Sequence, residues 1–377
     1  MIKSVVYIRM KKKNKILIAH FLLIVSSCLF LTCASSTGGQ GQSYRQNGPD
    51  VKTQFTNPVF EPILADPTVL RDPVSGVFYA YGTQDDWGDG AGSRLVPVLK
   101  SKDLSKWELV GSAFESKPSW KKRGGIWAPE AVHDNGKYFL YYAFSIWDDP
   151  NPGIGVATSD RPEGPFRDHG KLFDSKSIDV PNSIDPFMWQ EDDEKYLFWG
   201  SFDNGPKQGT YGVPLREDGI QITDPADKFK IAAGDLEAVI IHKRNNYYYF
   251  IGSRGSCCEG VRSTYHMVVG RSKNLKGPYL DKEGRDLRER GNGTLMLKAN
   301  DKFVGVGHGS RIMTDDADQD WILYHGIDVE KGKVSGGASR RMLFLDKVAW
   351  IDGWPTINGD MPSTNAQNKP YFKQKKS

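Results

Sequence analysis

Apolar positions along the chain fall in short aromatic and β-branched runs: Val77 to Tyr81, Tyr138 to Phe144, Tyr196 to Trp199, Tyr247 to Ile251 and Trp321 to Tyr324. Turn signals such as Asp134-Asn135-Gly136 and Arg244-Asn245-Asn246 bound them, and no helical period is sustained. Runs of this length between turns predict strands, so the chain reads as all-β. The runs also sit inside a repeat. A polar residue leads a short strand, a turn follows, and an aromatic strand then ends in a small residue. Asp66 leads to Tyr79-Ala80-Tyr81-Gly82, Glu130 to Tyr141 through Ser145, Asp185 to Phe198 through Ser201, Glu237 to Phe250 through Ser253, and His308 to Leu323 through Gly326. A second element recurs behind it, Ser159 to Gly164-Pro165-Phe166 and Ser272 to Gly277-Pro278-Tyr279. Five units of about four strands each predict a five-bladed β-propeller. A β-sandwich is the competing all-β arrangement.

Composition supports this pattern. The 40 Gly and 21 Pro residues break long helices, while a 38% hydrophobic share suffices for a sizeable core. The formal charge of +4 is misleading, because residues 1–33 hold six basic residues and no acid. Without them the balance is 44 basic against 46 acidic residues, which points to neither nucleic acid nor an anionic membrane as partner. Lys11 to Lys15 followed by the apolar stretch Ile16 to Phe30 reads as a secretory signal over residues 1–33. Cys28 and Cys33 each sit where a lipoprotein signal carries its lipidated cysteine; plain cleavage after Ala34 is the alternative. Every version exports the protein, to the periplasm, an outer-membrane anchor or the medium, with a lipid anchor as the membrane link. Residues 34–57 read as a flexible Ser-, Gly- and Gln-rich linker, residues 58–362 as the propeller and residues 363–377 as a polar tail.

In a propeller the first strand of each blade lines the central channel, so Asp66, Glu130, Asp185, Glu237 and His308 are expected to converge. Carboxylates crowded together push one another's pKa values apart, which supplies both an acid and a base. Taken singly, each leader has an ordinary explanation: Asp-Pro pairs make turns, a lone Glu is solvated, a lone His is structural. Their repeated placement carries the argument. Trp127, three residues before Glu130, and Trp87 in an acidic loop offer rings on which the apolar face of a sugar stacks, with core packing as the alternative for Trp127. Cys257 and Cys258 are adjacent; a vicinal disulfide and two buried thiols both remain open.

The motifs Ala65-Asp66-Pro67, Trp127-Ala128-Pro129-Glu130, Ser183-Ile184-Asp185-Pro186, Leu236-Glu237-Ala238, Cys257-Cys258-Glu259-Gly260 and Gly307-His308-Gly309, in this order, resemble glycoside hydrolase family 43 from about Asn57 to Trp354. The resemblance implies a five-bladed propeller and an inverting glycosidase acting on α-L-arabinofuranosidic links of arabinan or related plant polysaccharide. It also implies roles. Asp66 matches the general base, Glu237 the general acid, and Asp185 the carboxylate that tunes the acid. Asn182, Ser183 and Ser201 fall where the family contacts sugar, and Trp127 and Glu130, from their placement, are expected to bind substrate with them. His308 matches the channel histidine that helps hold a cation, often Ca2+, through water. Three departures sit near the channel: Glu130 where arabinanases carry Asp, and Val239 and Val306 where they carry Pro. β-Xylosidase and galactofuranosidase activities are rivals within the family, and a non-catalytic carbohydrate-binding propeller is the rival outside it. Internal cutting and end trimming of the polysaccharide are both compatible with the sequence.

Overall fold

The computed structural model describes residues 53–200 and 202–373. The sheets follow one another along the chain as five blades. Blade 1 comprises Thr68–Arg71, Phe78–Tyr81, Pro97–Ser101 and Glu108–Ser112. Blade 2 comprises Gly125–Asp134, Lys137–Ser145, Gly153–Ser159 and Arg167–Asp174, and blade 3 Ile184–Glu191, Glu194–Gly200, Gly209–Pro214 and Phe229–Ala233. Blade 4 is built from Glu237–Arg244, Tyr247–Arg254, His266–Ser272 and Thr294–Leu297. Blade 5 is built from Phe303–Gly307, Asp320–Asp328, Met342–Ile351 and Trp354–Ile357, with Met313–Thr314 as a short extra strand. The described residues are therefore the all-β five-bladed propeller that the repeat predicts.

Each blade is sandwiched between two others, so its strands are buried on both faces and read as continuous apolar runs rather than alternating ones. Phe78–Tyr81 is buried at every position, as is Tyr138 to Ser145. The largest shared core packs Phe198, Ile240, Phe250, Tyr279, Tyr324 and Phe344 from blades 3, 4 and 5. Small residues let the inner strands approach neighbouring blades. A Cβ on Gly307 would lie 2.4 Å from the Tyr265 ring, so a glycine is required for blades 4 and 5 to meet there.

A left-handed residue recurs at the same point of every blade: Asp66 (φ 52), Ala128 (φ 41), Asp185 (φ 55), Ala238 (φ 55) and His308 (φ 48). In blades 2 to 4 the ladder register shifts there, as in a β-bulge, and in blade 5 a shift lies just before it, between Val304 and Gly307. Such bulges re-aim side chains, and Asp is among the residues that tolerate this conformation. The bulge corrects the register of the leader set. Asp66, Asp185 and His308 occupy the left-handed position itself. Glu237 precedes it by one residue, level with Trp127 and Ile184, whereas Glu130 follows it by two.

The two ends of the described chain are fastened together. Gln54–Phe55 pairs with Gln367–Asn368. Asn57 is buried and binds Leu345 O at 3.0 Å and Ser363 Oγ at 2.9 Å. Phe372 lies 4.5 Å from Phe78, ring centre to ring centre, in the apolar core. Residues 54–57 and 363–372 thus belong to the folded domain rather than to the expected linker and tail. The apolar Phe55 and Phe372, embedded in polar sequence, are what anchor them. The expected signal at 1–33, with Cys28 and Cys33, lies outside the described residues.

Candidate active site

Beside the starts of the inner strands of blades 1 to 4, and just past Phe303–Gly307 of blade 5, a cavity of about 500 Å³ opens. Asp66, Asp185, Glu237 and His308 all line it. Four of the five leaders therefore come together, from blades 1, 3, 4 and 5.

Asp66 is the most heavily engaged. Arg341 Nη1 contacts its two oxygens at 2.8 and 3.0 Å, and Thr83 donates its hydroxyl at 2.6 Å. His308 Nδ1 and His325 Nδ1 each lie 3.3 Å from its Oδ1. The Asp66 backbone N–H also lies 3.1 Å from His325 Nδ1, so the ring is held against both the main chain and the carboxylate of Asp66. Burial pushes the Asp66 carboxyl up, but Arg341 first, then His308 and His325, outweigh it and hold the group well below the usual carboxylate range. Asp66 is thus an ionised acceptor. Burial keeps both imidazoles below their ordinary pKa, against the pull of the Asp66 charge.

Glu237 and Asp185 behave oppositely. Burial is the main force raising Glu237 to about 7; the Tyr265 hydroxyl, donating at 2.8 Å, works against it, and the Asp66 charge adds to it. Burial likewise raises Asp185 to about 7, with the His308 imidazole opposing and the charges of Glu237 and Asp66 adding. The Ala238 N–H, from the residue after Glu237, reaches Asp185 Oδ2 at 3.3 Å. The pair therefore titrates jointly and retains a proton near neutral pH. One cavity holds a carboxylate that stays charged and a carboxyl pair that keeps a shared proton up to about pH 7.

The remaining expected residues divide. Trp127 lines the cavity beside Trp147, ring centroids 5.5 Å apart, and Trp147 is 73% exposed. Glu130 does not line it. Two residues beyond the bulge, it is buried in an ion pair with Arg311 and accepts from Thr68 Oγ1 at 2.6 Å, while Arg311 also binds Met188 O. Ser183 is fully buried; its hydroxyl donates to Val180 O at 2.8 Å and accepts from Trp199 Nε1 at 3.0 Å, which leaves it a packing role. Asn182 takes a left-handed turn position and donates to Phe202 O at 2.8 Å. Ser201 lies outside the described residues. Trp87 is buried against Phe60, with Arg94 stacked 4.0 Å over its ring, so it is a loop anchor and not a sugar platform.

For a cation, the donor set is the test. Calcium takes six to eight oxygens, yet no three His, Cys, Asp or Glu groups assemble into a metal-holding cluster among the described residues. The carboxylate nearest His308 is already committed to Arg341. The side chains do not form a direct shell, and no chemical step below is routed through a cation.

Sequence reasoning missed Arg341, His325, Tyr265, Thr83 and Trp147. Arg341 and His325 come from blade 5 and reach Asp66 across 275 and 259 positions of chain. Tyr265, within Ser263-Thr264-Tyr265 after the cysteine pair, was the one with a visible signal. The cysteines themselves form a vicinal disulfide that also lines the cavity.

A propeller that sets an ionised carboxylate and a proton-bearing carboxyl around one cavity is built for glycoside hydrolysis. The chain belongs to glycosyl hydrolases family 43, whose family model matches residues 55–355. It is similar to the extracellular endo-α-(1→5)-L-arabinanase 1 of Bacillus subtilis, 32% identical over 307 residues, covering 78% of this chain and 87% of that one. It is also 30% identical over 321 residues to an extracellular exo-α-(1→5)-L-arabinofuranosidase of Cellvibrio japonicus, covering 78% and 86%. Among solved structures, the Cellvibrio cellulosa α-L-arabinanase complexed with arabinohexaose superposes with a TM-score of 0.67 at 28% identity, covering 79% of this chain and 96% of that one.

Proposed function

We propose that this protein is an inverting glycosidase that hydrolyses α-L-arabinofuranosidic links of arabinan or arabinose-containing polysaccharide. The observation that carries this reading is the division of charge in the cavity: Asp66 ionised, Glu237 and Asp185 proton-holding. The arabinan-cleaving relatives point to the sugar.

In this reading Glu237 gives its proton to the glycosidic oxygen as the bond from the anomeric carbon to that oxygen breaks. A water molecule attacks the opposite face of the same carbon and passes a proton to Asp66, so the configuration inverts. Asp185 acts by position: its negative form beside Glu237 makes the acid reluctant to ionise. Arg341 keeps Asp66 charged, and Thr83 orients one of its oxygens. Glu237 then regains its proton from solvent and Asp66 releases one. Trp127 and Trp147 offer an apolar surface for the sugar ring. The same reading includes export. It is supported by the basic and apolar start of the sequence and by relatives named extracellular, with Cys28 or Cys33 as the point of lipid attachment.

Digestion of linear α-1,5-arabinan by the exported form, followed by chain length and by the anomer first released, tests the proposal. Release of arabinose or its oligomers with inverted configuration is expected. A ladder of oligomers means internal cutting, and arabinose alone means trimming from an end. Binding of arabino-oligosaccharide in a calorimeter without any release of product would overturn it in favour of a carbohydrate-binding propeller.

A further inference from the structure

The vicinal disulfide has no role in the chemistry above, yet Cys257 and Cys258 line the same cavity as Asp66, Asp185 and Glu237. The segment that carries them leaves and returns beside the proton donor. Ser253, at the end of its incoming strand, pairs in register with Glu237. Tyr265, where the segment returns, donates its hydroxyl to Glu237 Oε1 at 2.8 Å. Both cysteines are half-buried, so part of each faces the cavity.

The bond does little for the fold. A disulfide stabilises mainly by closing a loop in the unfolded chain, and more as the loop lengthens. Here the sequence separation is one residue, the least there can be. Other contacts already hold the segment. Ser339 donates its hydroxyl to Cys258 O at 2.9 Å and accepts from Gly260 N–H at 3.2 Å, while Thr264 and Tyr265 N–H both bind Ser256 O at 3.0 and 3.1 Å. What the bond does change is the surface. Two thiols are separate groups, each with a weak donor and free rotation. Joined, they become one rigid, polarisable apolar face without a donor. Ser256 and Glu259 flank that face with hydrogen-bonding groups. An apolar patch framed by polar groups suits a furanose ring, with its C–H side on the sulfurs and its hydroxyls at the rim.

We propose that the Cys257–Cys258 disulfide is a binding platform for a sugar unit adjacent to the cleaved bond, so that substrate affinity depends on the oxidised state. This inference rests on the glycosidase reading above. Its test is reduction of the exported wild-type protein with a water-soluble trialkylphosphine. The disulfide takes up two electrons and two protons to give two thiols, and the phosphine acquires the oxygen of water as its oxide.

Initial rates on α-1,5-arabino-oligosaccharides should then show KM raised about fivefold to tenfold with kcat changed less than about twofold, the scale of one lost sulfur contact. Reoxidation should restore KM. A Cys257→Ala, Cys258→Ala double variant should copy the reduced enzyme and keep its melting temperature. If the oxidised enzyme turns over and neither reduction nor the double variant moves KM, the platform is wrong and the glycosidase reading stands. An equal fall in kcat at constant KM would also overturn it, by showing that the bond shapes the reacting groups rather than a binding surface. Oxidised wild type that neither hydrolyses nor binds these oligosaccharides would overturn both readings together.

Discussion

Two carboxylate–arginine pairs sit near the mouth of the same channel, and they come out differently. Asp66 pairs with Arg341 and Glu130 with Arg311; both carboxylates are buried, and each also accepts a threonine hydroxyl at 2.6 Å, from Thr83 and Thr68 respectively. Around Asp66, Arg341 and two imidazoles overcome the penalty of burial and leave the group well below the usual carboxylate range. Around Glu130, burial prevails over Arg311 and Thr68 and the group is raised. Asp66 also faces the cavity, whereas Glu130 is sealed beneath it. An arginine partner therefore does not mark a buried acid as chemical. The number of additional donors and an open path to solvent do.

The sharpest way to break this contrast is to neutralise one acid of each kind. Glu237→Gln should lower kcat by ~10³, within the 10²–10⁴ range of a lost general acid, and leave the melting curve almost unmoved. Glu130→Gln should do the reverse. It removes the counter-charge of Arg311, which is 26% exposed and so keeps some hydration, and unfolding in denaturant should show a loss of about 1–2 kcal/mol while turnover per folded molecule stays within a few-fold. A Glu130→Gln enzyme as dead as Glu237→Gln, yet normally stable, would erase the distinction.

The pH profile sharpens the same contrast with a smaller effect. Glu237 is raised to about 7 and, in the proposed mechanism, works in its protonated form, so kcat/KM should be present below that pH and lost as pH rises through it. The Tyr265 hydroxyl favours the charged form. Tyr265→Phe should therefore move the alkaline limb to higher pH by about 0.5, read from rates between pH 5 and 9. A limb that moves down would reverse the assigned sign. The smallest change belongs to the rim. Trp147 is 73% exposed, and Trp147→Ala should raise KM about threefold with kcat unchanged, measured on arabino-oligosaccharides.

Much of this was readable in advance because a buried blade writes itself locally. Tyr79-Ala80-Tyr81-Gly82 and Phe198-Trp199-Gly200 announce a central strand and the small residue that ends it, without help from distant sequence. The convergence of Asp66, Asp185, Glu237 and His308 on one cavity was legible because each stands at or beside the left-handed residue that recurs in every blade. Glu130 was misplaced because the bulge shifts register by residues that look equivalent on paper: Ala128 holds its left-handed position, and the acid falls two steps beyond. Ser183 and Asn182 resembled sugar contacts, but packing and turn geometry use their polar atoms. Arg341 and His325 were illegible for a different reason. Nothing near them in sequence records that blade 5 closes against blade 1.

That closure has a consequence for the order in which the protein becomes competent. The bond between Arg341 and Asp66 spans 275 residues, and the strand pair Gln54–Phe55 with Gln367–Asn368 fastens the seam beside it. During synthesis from the N-terminus, Asp66 emerges among the first groups of the domain and waits for its guanidinium and both imidazoles until nearly the last. A nascent chain arrested at four blades already owns every carboxylate of the site and cannot yet hold Asp66 in its working state. The ring acts as its own proofreader, completing the charged surroundings of Asp66 only in chains that have been read through to the seam.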